Sequence, residues 1–235
     1  GPAIPAISRH PCRRVEDVRA LAPPGPEAGR IGLVLRAAGR LARELPDADV
    51  RVPVSGPFSL AAGLLGFEAL LTSAALQPAE LRAALAHLAD GQVALCHRVA
   101  EAGLGVALFE SAATPPLLAP EAFRQIELPA LRRLTAGAAR TLGRAVPCIL
   151  GGDTAPLAAD LLELEAGYLI CPHETDQAAF LAAVAHRPDV RVRVNLNPGV
   201  IARGPEAALR AEVQRALALA AGRENVCLGS GVLPY

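Results

Sequence analysis

At 235 residues, with 52% apolar side chains and a formal net charge of zero, the chain is sized for one α/β domain or a single barrel with a large core. Balanced charge and few aromatic residues (two Tyr, five Phe, no Trp) argue against a nucleic-acid surface or a base-stacking platform. No apolar run reaches about 18 residues without a charge or a proline, so no membrane partner is expected. Five widely spaced cysteines without a C-x-x-C pair fit a reduced, cytoplasmic protein.

Residues 1–27 are Pro-rich and are expected to form an irregular lead-in with a short helix at Val15–Leu21; 28–235 reads as a single domain. Ala28–Leu45 has apolar residues at helical spacing, with Arg36, Arg40 and Arg43 on the other face. Strand Val50–Val54 ends in Ser55-Gly56-Pro57, and a helix is predicted over Leu60–Leu71. Pro78 opens a long helix to Ala102, followed by strand Val106–Phe109, which ends at Glu110-Ser111. A Pro-rich loop leads to a helix over Glu121–Leu142 and to strand Val146–Leu150, ending in Gly151-Gly152-Asp153. Helix Pro156–Glu165, strand Tyr168–Cys171 with Pro172-His173-Glu174, and helix Asp176–Ala185 come next. The period-2 run Val190-Arg-Val-Arg-Val194 is a strand stopped by Asn195-Leu196-Asn197-Pro198-Gly199. Helix Glu206–Ala221 and strand Val226–Leu228, with Gly229-Ser230-Gly231, close the order. Alternation of strand and helix predicts a parallel sheet.

In such sheets ligands bind at the carboxyl ends of the strands. The polar residues there are Ser55, Glu110, Asp153, His173, Glu174, Asn195, Asn197 and Ser230, and a parallel sheet is expected to bring them to one face. Individually each also suits a turn or helix cap, Asp153 and Asp176 especially. His173 with Glu174 offers acid/base chemistry near neutral pH, or a plain surface loop. Cys148, Cys171 and Cys227, with His173, would suit zinc only if their side chains shared a face; as buried thiols they are equally at home in a core. The glycine pairs at 151–152 and 229/231 give backbone N–H groups to an anion only weakly, neither being a complete phosphate loop.

Six segments in order resemble the uroporphyrinogen decarboxylase superfamily, which holds the decarboxylase and the methyltransferases that work with corrinoid proteins. They are Val54-Ser55-Gly56-Pro57-Phe58-Ser59-Leu60-Ala61 (like G-P-F-T-L-A), Ala102-Gly103 through Phe109-Glu110-Ser111-Ala112, and Leu118-Ala119-Pro120-Glu121-Ala122-Phe123 (like S-P-E-x-F). The others are Gly151-Gly152-Asp153, Asn195-Leu196-Asn197-Pro198 (like G-N-x-x-P), and Gly229-Ser230-Gly231-Val232-Leu233-Pro234 (like G-C-G-I-P).

The resemblance implies a TIM-type (β/α)8 barrel, incomplete at the N-terminal side in this chain, with about six of its strands. It implies that the family's Arg-bearing segment for porphyrinogen carboxylates lies outside the chain, leaving Arg98 and Arg203 as the cations a decarboxylase would use. The positions of the family's zinc ligands correspond to Ile149, Gly151 and Val232, so no zinc is expected. The implied function is a zinc-independent methyltransferase acting between cobalamin, on a partner corrinoid protein, and tetrahydrofolate. Glu110, Asp153 and Glu174 would be candidate catalytic acids, and Ser55, His173, Asn195, Asn197 and Ser230 would hold substrate. A decarboxylase of a porphyrinogen or related acid, and a non-catalytic barrel serving as a partner subunit, are the alternatives; a homo-oligomer is compatible with each.

Overall fold

The structure, a computed structural model, describes residues 7, 9–23, 25 and 29–231. Six strands form one sheet in the order β1 (Arg51–Ser55), β2 (Gly105–Glu110), β3 (Val146–Leu150), β4 (Ala166–Cys171), β5 (Arg191–Asn195) and β6 (Val226–Gly229). Every neighbouring pair is parallel, so each connection is a crossover, as the strand–helix alternation predicted. The helices are α1 (Val15–Arg19), α2 (Ile31–Glu44), α3 (Pro57–Leu65), α4 (Phe67–Leu76) and α5 (Pro78–Glu101). After β2 come α6 (Pro120–Ala122), a π-helical turn (Phe123–Glu127) and α7 (Leu128–Leu142). A 3-10 turn (Ala155–Leu157) and α8 (Ala158–Leu161) follow β3, α9 (Gln177–Ala183) follows β4, and α10 (Pro198–Arg203) and α11 (Glu206–Ala220) follow β5.

Alternate residues of each strand go to opposite sides of the sheet. Val52, Val54, Val106, Leu108, Cys148 and Val192 lie on the helix-covered side, each at most 3% exposed. Behind them sit Phe58, Phe123 and Phe180, all fully buried, and the α5–α7 pair. The other side is the inner face of the barrel-type arc. The ladder registers place Ser55, Phe109 and Ile149 in one layer there, continued by Ile170, Arg193 and Cys227. Phe109 is 39% exposed, so this face is accessible while the outer face is sealed.

Several elements depart from expectation for local reasons. The helix predicted over 60–71 is two helices, because Gly66 between them takes φ +80°, which breaks the hydrogen-bonded run. The helix predicted over 121–142 contains the π turn. The segment 156–165 supplies only one 3-10 turn and four α-helical residues before β4 begins. The Asn197-Pro198-Gly199 turn initiates α10: Asn197 Oδ1 accepts from the Gly199 and Val200 amides, and Pro198 occupies the first turn where no N–H is needed. Asp176 caps α9 as expected, accepting from Ala179 N at 3.0 Å. Ala28 and Val232 lie outside the described residues. Among the described residues no single helix is long and apolar enough to cross a membrane; α3 and α4 have the combined composition but meet at 117°.

Candidate active site

The strand-end residues do not converge as one set, because side-chain parity divides them. Ser55, with Arg51 and Pro53, lies on the inner face, and so does Asn195, two residues beyond Arg193. Glu110 has the parity of Leu108 and points the other way, into the helix layer, where it is fully buried. Its Oε2 accepts from Phe58 N at 3.1 Å, and its Oε1 accepts from Ser59 N at 3.1 Å, Ser59 Oγ at short range and Ala112 N at 3.2 Å. Glu110 therefore caps the N-terminus of α3 from the neighbouring strand, since Gly56 at the cap position has no side chain to do so. The expectation that Glu110 meets substrate is corrected on this ground: the carboxylate is sealed and its acceptor positions are filled. Ser111 and Ala112 amides also donate to Ser59 Oγ, tying the β1 and β2 loops together.

At the β5–β6 end, Arg193 Nε donates to Asn195 Oδ1 at 3.0 Å. A Cβ on Gly229 would lie 2.6 Å from Arg193 Cδ, and one on Gly231 would lie 2.6 Å from Asn195 Nδ2. The two glycines thus make room for the protein's own Arg193 and Asn195 rather than for an anion against the backbone. Asn195 is 7% exposed, and with its carbonyl oxygen committed to Arg193, its amide N–H2 is left as donor. Tyr168, below on β4, is held less acidic, chiefly by burial, which outweighs the nearby Arg193 charge. Half-buried Ser230 follows on the next loop. Together Arg193, Asn195 and Tyr168 form a donor-rich wall beside an apolar floor of Phe109 and Ile149, with Ile170 buried between. Arg193 was passed over in sequence, although the alternation that places Asn195 inward places Arg191 and Arg193 inward too. Arg98 lies on α5 in the helix layer, and Arg203 is exposed at the end of α10, so neither is on this face.

Asp153 is half-buried beyond β3, with Oδ1 accepting from Thr175 Oγ1 at 2.6 Å; Thr175 in turn accepts from Ala155 N at 2.7 Å. Thr175, not Asp153, caps the 3-10 turn. His173 Nδ1 lies 2.8 Å from Glu174 Oε2, and Glu174 is about half exposed. With Asn197, His173 lines a separate cleft of about 650 Å³ between α9 and α11, which also meets Gln177, Glu212 and Arg215. Glu212 is held below the usual carboxylate range, first by hydrogen bonds from Arg215 and also by the Asn197 amide. Arg215 also donates to Gln177 Oε1, and Gln177 Nε2 ties Pro172 O to Asn195 O, so this network fixes the β4 and β5 loops beside the inner face.

The cysteines split likewise. Cys148 and Cys171 face the helices, where burial raises the Cys148 thiol strongly and pushes Cys171 up to about 12, whereas Cys227 is on the inner face and exposed. Ile149 and Gly151 carry no ligand atom, and among the described residues no group of three His, Cys, Asp or Glu side chains is arranged to hold a metal. One thiol of the five is expected to react rapidly with an aromatic disulfide reagent in the native protein, and Cys227→Ser to abolish that phase; two or more fast thiols would contradict this burial pattern.

A sequential parallel sheet, sealed by helices on one side and lined by donors on the inner side at its carboxyl ends, defines a barrel-type α/β protein, a fold class whose sites lie at the carboxyl ends of the strands. The family model for uroporphyrinogen decarboxylase (URO-D) matches residues 2–234, and the chain belongs to that family. It is similar in fold to a methyltransferase from Methanosarcina mazei, with a TM-score of 0.77 and 20% identity, over 97% of this chain and 67% of that one. No curated protein matches.

Proposed function

We propose that the chain is a zinc-independent methyltransferase that moves a methyl group between a corrinoid, carried by a partner protein, and an acceptor such as tetrahydrofolate. The observation that carries this reading is the pairing of an apolar floor at Phe109 and Ile149 with the Arg193–Asn195 donor wall on the inner side of the sheet. A flat heteroaromatic ring can lie on such a floor, and its carbonyl and ring-nitrogen acceptors can take hydrogen bonds from the wall. The corrinoid supplies the chemistry of gaining or releasing the methyl group. Arg193 holds the Asn195 amide in the orientation that offers Nδ2–H, and Asn195 fixes the acceptor. Asp153, whose Oδ1 accepts from Thr175, is the acid assigned to exchange the proton at the methylated nitrogen, in preference to the sealed Glu110 and the half-exposed Glu174. His173 and Asn197 support the mouth loops from the neighbouring cleft.

Arg191 and Arg193 on the inner face favour a second reading, a decarboxylase, because guanidinium groups are suited to carboxylates. Thermal-shift titration separates the readings. A ligand that binds only the folded state raises stability by RT ln(1 + [L]/Kd), about 2.7 kcal/mol at a hundredfold excess over Kd. The methyltransferase reading expects tetrahydrofolate to raise the midpoint and a porphyrin polycarboxylate to leave it unchanged. The reverse pattern supports the decarboxylase, and no shift with either supports a non-catalytic partner subunit.

A further inference from the structure

A second carboxyl stands behind Glu110. Glu127 closes the π-helical turn and is fully buried; neither of its oxygens has a well-formed donor, and its carboxyl hydrogen-bonds to that of Glu110. π turns widen the helix locally and are frequent where a side chain must be aimed. Here the turn carries Glu127 from α7 toward the N-terminus of α3 and toward Glu110, whose charge it senses.

The two carboxyls are not equivalent. Glu110 receives N–H and O–H donors on both oxygens, which stabilises the ionised form. Glu127 has no well-formed donor, only the weak approach of the Phe58 amide, and a buried carboxylate so poorly solvated is strongly disfavoured. Burial moves both acids upward. For Glu127 the Glu110 charge and the hydrogen bond between the two carboxyls add to burial, with only the smallest offset from the Phe58 amide; for Glu110 the Ser59 and Ala112 donors, and last the Glu127 hydrogen bond, oppose burial. The buried residues of α3, α5 and α7 carry no charge, and the Cys148 thiol on β3 is the titratable group that feels both carboxyls.

We propose that Glu127 keeps its proton while Glu110 carries the single charge of this buried pair, and that the pair is the positioning device of the barrel mouth. Glu110 clamps Phe58 and Ser59 of the β1 loop to Ala112 of the β2 loop, and neutral Glu127 lets that charge persist without a second one beside it. Ser55 and Ser111, at the ends of the clamped loops, are held in register by this contact. The inference does not depend on which ligand the inner face takes.

The sign of the pH dependence follows. An acid whose folded-state pKa is raised stabilises the fold fully below its unfolded value and loses that contribution as pH rises through the folded one. The wild-type thermal midpoint is therefore expected to fall as pH rises above the ordinary glutamate range, and Glu127→Gln, which keeps the shape and the neutrality, to flatten that fall. At about pH 6 Glu127→Gln is expected to melt within about 2 °C of wild type, while Glu127→Ala and Glu110→Gln melt roughly 5–10 °C lower. The infrared difference spectrum of wild type minus Glu127→Gln at neutral pH is expected to show the carbonyl stretch of a protonated carboxylic acid. Absence of that band, a Glu127→Gln variant as damaged as Glu127→Ala, or an unchanged pH profile in Glu127→Gln would each overturn the proposal.

Discussion

Gly56→Ala is expected to lower the thermal midpoint by roughly 10 °C, since an added methyl there meets the tightest space of any described glycine. A Cβ at position 56 would lie 2.1 Å from Glu110 Oε2 and 2.7 Å from its Cβ and Cδ. Neither side can yield cheaply. The Glu110 carboxylate is held by the Phe58 and Ser59 amides and the Ser59 hydroxyl, and Gly56 N itself donates to Phe109 O. Overpacking costs about 1–3 kcal/mol, and displaced hydrogen bonds to a buried charge cost about 1.5–3 kcal/mol. Alanine at Gly63, on the same helix α3, is the control: its nearest neighbour would be the Ile7 side chain at 3.9 Å, and little change is expected. A Gly56→Ala midpoint equal to wild type would show that Glu110 does not pack against the β1 turn as described.

That turn also shows how far the sequence could be read. Ser55-Gly56-Pro57-Phe58 stood out as a strand-end turn with a family resemblance, and it is one. Its reason for a glycine is a carboxylate 54 positions later, which no local pattern reveals. Alternation along Val190–Val194 correctly found a strand, although β5 starts at Arg191 and includes Asn195 as its last residue. Period-2 reasoning applied one step further would have put Arg193 beside Asn195 and turned Glu110 away from them, because Glu110 shares parity with Leu108. The order of strands and the parallel sheet were legible because each strand is short, apolar and followed by turn residues. The break at Gly66, the π turn and the short α10 were not, since each depends on a single residue's backbone conformation or on tertiary contact. Glu127 gave no signal at all: within an amphipathic helical pattern it reads as an ordinary solvated glutamate, and only the packing of α3, α5 and β2 buries it.

Asn195→Ala is expected to weaken ligand binding by about 10- to 100-fold, the loss of one hydrogen bond to a desolvated acceptor together with the orientation set by Arg193. The fold should survive, because the Asn195 backbone carbonyl still accepts from Gln177 Nε2 and the Leu196 amide still donates to Gly229 O. Asn195→Asp is the sharper variant. It preserves shape and pairs more strongly with Arg193, but replaces the Nδ2 donor with an acceptor, so it should bind an acceptor-rich ring worse than alanine does. Equal binding by wild type and both variants would remove Asn195 from the site.

The most direct measurement of the account is methyl transfer itself: the protein with methylcobalamin and tetrahydrofolate, followed by the cobalamin absorption spectrum over a range of pH. The account predicts loss of the methylcobalamin spectrum with wild type and a rate at least about tenfold lower with Asn195→Ala. A folded wild-type protein that leaves the spectrum unchanged at every pH would contradict it.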